Sequence, residues 1–402
     1  MRFLSCIVVV LLCGCGSRTD LTVPEFERLG RPDICVELPA PEPPTFVDTR
    51  FVARIASADV LFLVDVTGSM VDEIRQIQTT LREVLVPGLN AEIPDVSLSV
   101  AEFGDYPTFP YGEDQDEPFR LHQQSTGDVA TVQSGVGRLG RGFGGGDEPE
   151  SHIEALWQSA TGAGIPELLA PGTCAAGRVG YPCFREDGSR IILLFTDAPF
   201  HNGPGDSFPY TLGVSRPAPA GYDETVGALR TIGARVLGLY SGAGGVGLSH
   251  LRTIAEDTGA VTRDGEPIVV DIGEAGEDLG EGVIDVVRTL VQDVFLDIDL
   301  LVEDFPLDDV DAREFVVGIE TLGARPATGA TDLGDRYVDV RPGTEVAFRV
   351  NLDNTRFEAG PTPVSYFLTL VLRGDGVTRL RETIVEVVIP STDGEGCAPL
   401  DG

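Results

Sequence analysis

The chain contains no lysine: all 29 basic residues are arginine, against 64 acidic ones, for a formal charge of −35. That balance argues against nucleic acid or an anionic lipid surface as a partner, because both select a basic face. Arginine-only usage reflects a GC-rich genome rather than a mechanism. Cysteine is sparse, at seven residues, and no Cys-x-x-Cys or Cys/His spacing marks a zinc site. Gly-x-Ser-x-Gly, His-Glu-x-x-His and a reactive-cysteine arrangement are missing, which argues against an enzyme. Gly144-Gly145-Gly146 lacks the Lys-Ser/Thr that a phosphate loop requires. Past the N-terminus no apolar run reaches about 18 residues without a charge, so no membrane-spanning helix is expected. A hydrophobic content of 42% excludes wholesale disorder, and 402 residues suit two or three domains.

What is present starts at the N-terminus. Arg2 precedes an apolar stretch, Phe3 to Leu12, too short to span a bilayer and followed by small residues. This is the pattern of a secretory signal peptide, residues 1–14, followed by a polar tether, 15–32. Leu12-Cys13-Gly14 before Cys15 resembles the lipobox of bacterial lipoproteins. The resemblance implies acylation of Cys15 and a lipid anchor. Gly16 stands where an inner-membrane retention signal would place Asp, which favours the outer membrane or cell surface of a Gram-negative bacterium. Four cysteines remain, Cys35, Cys174, Cys183 and Cys397, with three possible pairings. Cys174 and Cys183 flank a short glycine-containing loop and form the natural pair. Cys35–Cys397 would then tie the ends of the folded region in an oxidising compartment.

From 58 to 294, short continuous apolar runs alternate with helical patterns. The runs Ala58–Val64, Ser97–Phe103, Ile191–Phe195, Ala234–Tyr240 and Pro267–Asp271 read as strands covered on both faces. Helices are expected at 70–87, 150–161, 222–232, 247–257 and 277–293. The fold class is therefore α/β, a Rossmann-like, mostly parallel sheet wrapped by helices. From 295 to 391 the pattern turns to strands, with Val346, Phe348 and Val350 alternating with polar neighbours. That region reads as a β-sandwich, followed by a tail, 392–402. Strand-like pieces at 33–57 flank a Pro-rich segment and are candidates to join the same sandwich, which would make the α/β domain an insertion.

The chemistry concentrates after the first α/β strand, in Asp65-Val66-Thr67-Gly68-Ser69. Ligands of open α/β sheets bind beyond the carboxyl ends of the strands. Three oxygen-bearing side chains at alternate positions there suit a hard divalent cation. The alternative for Thr67 or Ser69 is a helix N-cap, with Asp72 and Glu73 complementing the helix dipole. Two later segments favour the metal, Asp147-Glu148-Pro149-Glu150 and Asp197-Ala198-Pro199-Phe200-His201.

These motifs resemble the von Willebrand factor A family, with Thr67 replacing the first Ser of its Asp-x-Ser-x-Ser loop. They are most similar to the A-like domain of integrin β subunits, whose features match Asp72-Glu73, Phe103-Gly104-Asp105, Asp147-Glu148-Pro149-Glu150 and Thr196-Asp197-Ala198-Pro199-Phe200-His201. The resemblance covers roughly 58–294. It implies a metal-ion-dependent adhesion site holding Mg²⁺, with Ca²⁺ or Mn²⁺ as alternatives. Asp65, Thr67, Ser69 and Glu150 would surround the ion, with Asp197 behind a water. Asp72 and Glu73 would serve an adjacent site, and Asp105, Asp147, the Pro149 carbonyl and Glu150 a third. Gly145 stands where that third site has an Asn ligand, and Asp105 is otherwise a turn residue before Pro107. The implied partner is a protein supplying a carboxylate; a metal-stabilised envelope scaffold without a dedicated ligand is the alternative. His201 reads as a loop-fixing residue, Arg190 as a solvated strand-edge charge and Trp157 as part of a helix core face. The loops Tyr106–Phe119, Cys174–Cys183 and Asn202–Tyr222 are candidates to surround the metal face and select the partner.

Overall fold

The computed structural model describes residues 32–39, 45–55, 57–140, 145–211, 218–305 and 310–397. The signal peptide, Cys15, nearly all of the tether and the last five residues lie outside them. The chain enters through β1 (Ile34–Glu37) and β2 (Thr45–Val52). The α/β region follows with β3 (Ser57–Asp65), β4 (Asp95–Phe103), β5 (Arg120–Thr126), a short hairpin of β6 (Arg178–Val179) and β7 (Phe184–Arg185), then β8 (Ser189–Thr196), β9 (Ala234–Tyr240) and β10 (Val269–Asp271). Its helices are α1 (Val71–Thr80), α2 (Val86–Glu92), α3 (Val129–Val136), α4 (His152–Thr161), α5 (Tyr222–Thr231), α6 (Val246–Asp257) and α7 (Leu279–Asp293). A π-type turn, Leu81–Leu85, joins α1 to α2. The remaining strands are β11 (Leu296–Asp304), β12 (Val316–Arg325), β13 (Thr331–Asp332), β14 (Tyr337–Val340), β15 (Glu345–Leu352), β16 (Val364–Gly374) and β17 (Thr378–Ile389).

The α/β sheet has the order β10-β9-β8-β3-β4-β5 and is parallel except for the edge strand β5. This is the expected α/β class. Strands β3 and β8 are buried almost from end to end because both faces are covered. Phe62, Val64, Ile191 and Leu193 pack beneath α1, α2 and α7, while Leu61, Leu63, Ile192 and Leu194 pack against the side of α4, α5 and α6. Trp157, expected on the core face of α4, is only half-buried; Leu156 and Ala160 fill that face instead.

The all-β region is two sheets around one core. One has the order β1-β17-β16-β11-β14-β13 and the other β12-β15-β2. Val346, Phe348 and Val350 of β15 share that core with Ile298, Leu300, Leu370 and Val387 of the other sheet, as strand alternation requires. β1 pairs with β17 and β2 with β15, so strands from before the α/β region complete sheets built after it. Disulfides join Cys35 to Cys397 and Cys174 to Cys183.

Arg190 corrects its sequence reading. It is 3% exposed, and its guanidinium donates to the carbonyls of Ile232 (2.6 Å), Arg185 (2.9 Å) and Glu186 (3.1 Å). It gathers loops at the amino ends of the strands. The Cys174–Cys183 loop also departs from expectation. It lies against β5, where Ser125 N–H donates to Pro182 O at 2.8 Å, and it leads into Arg185, which holds Asp59 and Asp95 at the amino ends of β3 and β4.

Candidate metal centre

Parallel pairing of β3 with β8 runs up to Val64 opposite Phe195, which brings Asp65 level with Thr196 at the carboxyl edge of the sheet. Asp65 is fully buried. Its Oδ1 accepts the Thr67 backbone N–H at 3.0 Å and the Thr67 hydroxyl at 2.6 Å, and its Oδ2 accepts the Thr196 hydroxyl at 2.7 Å. Ser69 is exposed and donates to Asp197 Oδ1 at 3.0 Å. Asp65 and Thr67 thus form the floor of a cup, and Ser69 and Asp197 stand at its mouth.

Glu150 joins the cup through its backbone. Its N–H donates to Pro199 O and its carbonyl accepts His201 N–H, both at 2.9 Å, in a parallel bridge with Phe200. Two of the three sequence motifs are therefore tied by main chain, independently of any ion. Glu150 is 3% exposed, and among the described residues its Oε2 has no hydrogen-bond partner.

The third group converges around His201. Asp105 is fully buried; its Oδ1 accepts Tyr106 N–H at 2.6 Å and also the Tyr210 hydroxyl. Its Oδ2 lies 3.4 Å from His201 Nε2, within ion-pair distance but without hydrogen-bond geometry. Asp147 Oδ1 is 3.3 Å from the same nitrogen. Pro149 is buried between Asp147 and Glu150 in sequence. Gly145 has φ 86°, in the left-handed region, and a Cβ there would lie 2.9 Å from Glu150 Oε1. The position thus favours glycine, and the Asn ligand of the resemblance has no counterpart in it.

The adjacent pair separates. Asp72 is exposed and binds Arg75, whereas Glu73 is 1% exposed and among the described residues leaves Oε2 without a partner. Successive helix positions point about 100° apart, so the two carboxylates do not share a direction.

The electrostatics are those of crowded buried acids. Burial raises the Asp65 carboxyl to about 7, with the Asp197 charge adding to it. Burial raises Glu150 to about 11, and the charges of Asp65, Asp105, Asp116 and Asp147 push the same way. Asp105 rises to about 8, again chiefly through burial, against the opposing bonds from Tyr210 and Tyr106. Burial also raises Glu73. Among the described residues no arginine pairs with Asp65, Asp105, Glu150 or Asp197. The Glu150 Oε2, without a partner among the described residues, lies with the Asp65 and Asp197 carboxylates and the Thr67 and Ser69 hydroxyls in a hard-oxygen donor set that fits a divalent cation. Asp65, Thr67, Ser69, Glu150 and Asp197 would hold it.

His201, read from the sequence as a loop-fixing residue, holds the Phe208 carbonyl through Nδ1 at 2.7 Å; that its Nε2 also faces Asp105 and Asp147 was not read from the sequence. Tyr111 and Tyr210 are likewise visible only in the fold, where their rings enclose His201 with centroids at 5.1 and 4.2 Å. A cleft of about 510 Å³ opens beside the cup between Val66, Gly104, Asp116, Phe119 and Leu168. The loop Tyr106–Phe119 thus borders the site. The loop Asn202–Tyr222 reaches it through Tyr210, although 212–217 lie outside the described residues.

No protein-family model matches the chain, and neither does any curated protein. Among solved structures it is similar to a von Willebrand factor type A protein from Catenulispora acidiphila, at 15% identity and TM-score 0.36, covering 89% of this chain and 72% of that one. It is also similar to the pilus adhesin SpaC from Lactobacillus rhamnosus GG. The open conformation aligns at 12% identity and TM-score 0.33, covering 87% of this chain and 45% of the adhesin. A second form aligns at 12% identity and TM-score 0.35, over 88% and 47%. The chain spans less than half the length of the adhesin.

Proposed function

We propose that this chain is an exported, lipid-anchored adhesion module of the von Willebrand A type, which binds a partner protein's carboxylate through a divalent cation. The observation that carries the reading is the cup itself. Buried Asp65 and Glu150, with Thr67, sit beneath exposed Ser69 and half-buried Asp197, at the carboxyl ends of β3 and β8. A bound Mg²⁺ would supply the compensating charge and an exchangeable position for an outside oxygen. The residues of the chain do the rest: Asp65 and Glu150 fix the floor, Ser69 and Asp197 leave the mouth open, and the Tyr106–Phe119 loop shapes the approach. The alternative is a scaffold in which the cation only stabilises the acidic domain.

Among the described residues, a serine–histidine contact near the site is not arranged as a nucleophile–base pair, and the binding reading is preferred. Ser207 Oγ lies 3.1 Å from His250 Nε2, but His250 Nδ1 accepts the Phe200 N–H at 3.0 Å. In neutral His250 the proton is therefore on Nε2, so this imidazole has no lone pair with which to activate Ser207.

The test compares wild type with Asp65→Ala. Calorimetry with Mg²⁺ should show binding lost in the variant, and affinity capture from envelope extracts should give a partner that needs both Asp65 and Mg²⁺. Partner retention by the variant, or in chelator, would overturn the reading. Mg²⁺ binding and a chelator-sensitive melting temperature without any Mg²⁺-dependent partner would support the scaffold.

A further inference from the structure

The imidazole of His201 is fixed on one side by chemistry that leaves the other side committed. Its Nδ1 lies 2.7 Å from the carbonyl of Phe208, an acceptor only, so Nδ1 carries a proton and donates it. In the neutral ring Nε2 then has a lone pair, and that lone pair faces two carboxylate oxygens, Asp105 Oδ2 at 3.4 Å and Asp147 Oδ1 at 3.3 Å. A neutral imidazole has nothing to donate to them. An imidazolium would, but its charge-assisted bonds to carboxylates run at about 2.7–2.9 Å. The contact with Asp147 has hydrogen-bond geometry but at 3.3 Å is longer than that range, and the contact with Asp105 lacks that geometry, which leaves Oδ2 of this fully buried residue without a partner among the described residues.

A shared cation accounts for all of this. The three donor atoms lie within 4.8 Å of one another. Donors at about 2.0–2.1 Å from a tetrahedral centre are separated by about 3.3–3.4 Å. Phe208 O on Nδ1 is the outer contact that orients a metal-binding histidine. Tyr106 N–H and the Tyr210 hydroxyl occupy Asp105 Oδ1 and leave Oδ2 as the single ligand oxygen. Asp147 is 35% exposed in its side chain and provides a route for the ion. A nitrogen donor among carboxylates disfavours Ca²⁺ and Mg²⁺ and selects a borderline ion.

We propose that Asp105 Oδ2, Asp147 Oδ1 and His201 Nε2 form a separate site for a borderline first-row cation of the Zn²⁺ class, with a fourth position open to solvent. The site differs from the oxygen-only third site implied by the sequence resemblance. It stands apart from the carboxylate-binding reading of the cup and does not require it.

The test uses the full chain stripped with chelator and titrated with Co²⁺, then Zn²⁺. One equivalent of Co²⁺ should give the intense visible absorption of a four-coordinate ion, and Zn²⁺, but not excess Ca²⁺ or Mg²⁺, should abolish it. His201→Gln and Asp147→Asn should each weaken Zn²⁺ binding by more than about a hundredfold, beyond the cost of losing an outer contact. Asp65→Ala should keep the cobalt spectrum while losing Mg²⁺ binding. Circular dichroism and melting confirm that the variants fold, and Asp147, at the surface, serves as control should His201→Gln unfold. A six-coordinate spectrum, displacement by Ca²⁺, or a spectrum lost with Asp65→Ala and kept in Asp147→Asn would overturn the proposal. So would a folded chain that takes up no Co²⁺ or Zn²⁺, which would make His201 a positively charged clamp on the two carboxylates.

Discussion

Thr196 and Asp65 share a contact that His152 also claims. The Thr196 hydroxyl oxygen lies 2.7 Å from Asp65 Oδ2 and 2.7 Å from His152 Nε2, and it has one proton to give. His152 Nδ1 faces the Glu150 carbonyl at 3.1 Å, so that nitrogen is the protonated one. Burial holds His152 neutral, pushing it down to about 3. The buried floor of the cup is therefore one proton short, and its balance depends on what charge Asp65 carries.

Thr196→Val keeps the shape and removes the hydroxyl. Asp65, His152 and the Ala198 N–H, which also uses that oxygen at 3.0 Å, each lose a partner. Stability should fall by about 2 kcal/mol or more, since each unsatisfied buried group costs about 1–3 kcal/mol. Mg²⁺ affinity should fall about tenfold, the lower end for loss of an outer contact. Thr196→Ser should restore both. Calorimetry and denaturant melts check this; unchanged Mg²⁺ affinity in the valine variant would assign the hydroxyl to His152 alone.

The buried acids set a pH dependence for the metal-free chain. Asp105 and Glu150 are raised to about 8 and about 11. Unfolded carboxylates lose their protons near about pH 4, so above that the folded state binds more protons. Stability in chelator should then fall as pH rises from about 7 to about 9, by on the order of 1.4 kcal/mol per pH unit for each proton retained. His152 is neutral in the folded state and mostly so in the unfolded state over that window, so its opposite slope is confined to the lower end near about pH 7. Saturating cation replaces the protons and should flatten the curve. Melting scans in chelator and in metal measure both; equal metal-free stability at the two ends would mean that these carboxylates are already ionised.

The strands of the α/β sheet were legible because burial on both faces writes a continuous apolar run, as in Ala58–Val64. The edge strand β5 and helix α3 were not. Arg120–Thr126 is a polar, half-exposed sequence held by pairing to β4, and Val129–Val136 is short and weakly patterned. In the site, motif order pointed to Asp65, Glu150 and Asp197. Direction was invisible: adjacent Asp72 and Glu73 go to solvent and core, and the part of His201 depends on Phe208 and Asp105, which only folding brings near. Arg190 was misread because a charge at the start of a strand looks exposed until the carbonyls it serves are in place.

Arg190 and Asp72 give a matched pair of variants. Arg190→Met removes a buried cation that serves three carbonyls and leaves Asp59 nearby with less positive charge. The cost should be about 3 kcal/mol or more, since each of three buried carbonyls loses its donor at about 1–3 kcal/mol. Mg²⁺ binding in the molecules that fold should be unchanged, because Arg190 lies at the opposite end of the strands. Asp72→Ala removes an exposed pair with Arg75 and should stay within about 0.5 kcal/mol. If Asp72→Ala instead weakens Ca²⁺ binding, its carboxylate turns inward when an ion is present.

The two disulfides differ in what they restrain. Cys35–Cys397 closes a loop with a sequence separation of 362 residues, and Cys174–Cys183 one of nine. Chain entropy alone assigns on the order of 5 kcal/mol to a very long loop and about 3 kcal/mol to one near fifteen residues. The Cys35→Ser/Cys397→Ser pair should therefore lower the denaturant midpoint more than Cys174→Ser/Cys183→Ser. Neither should change Mg²⁺ affinity, since both bridges lie away from the cup. The end clamp is backed by parallel pairing of β1 with β17 and by the Cys397 N–H on Glu37 at 2.9 Å. A smaller drop for the long-range pair would mean that residual order in the unfolded chain already holds the two ends near each other, which removes the entropy the bridge would otherwise restrict.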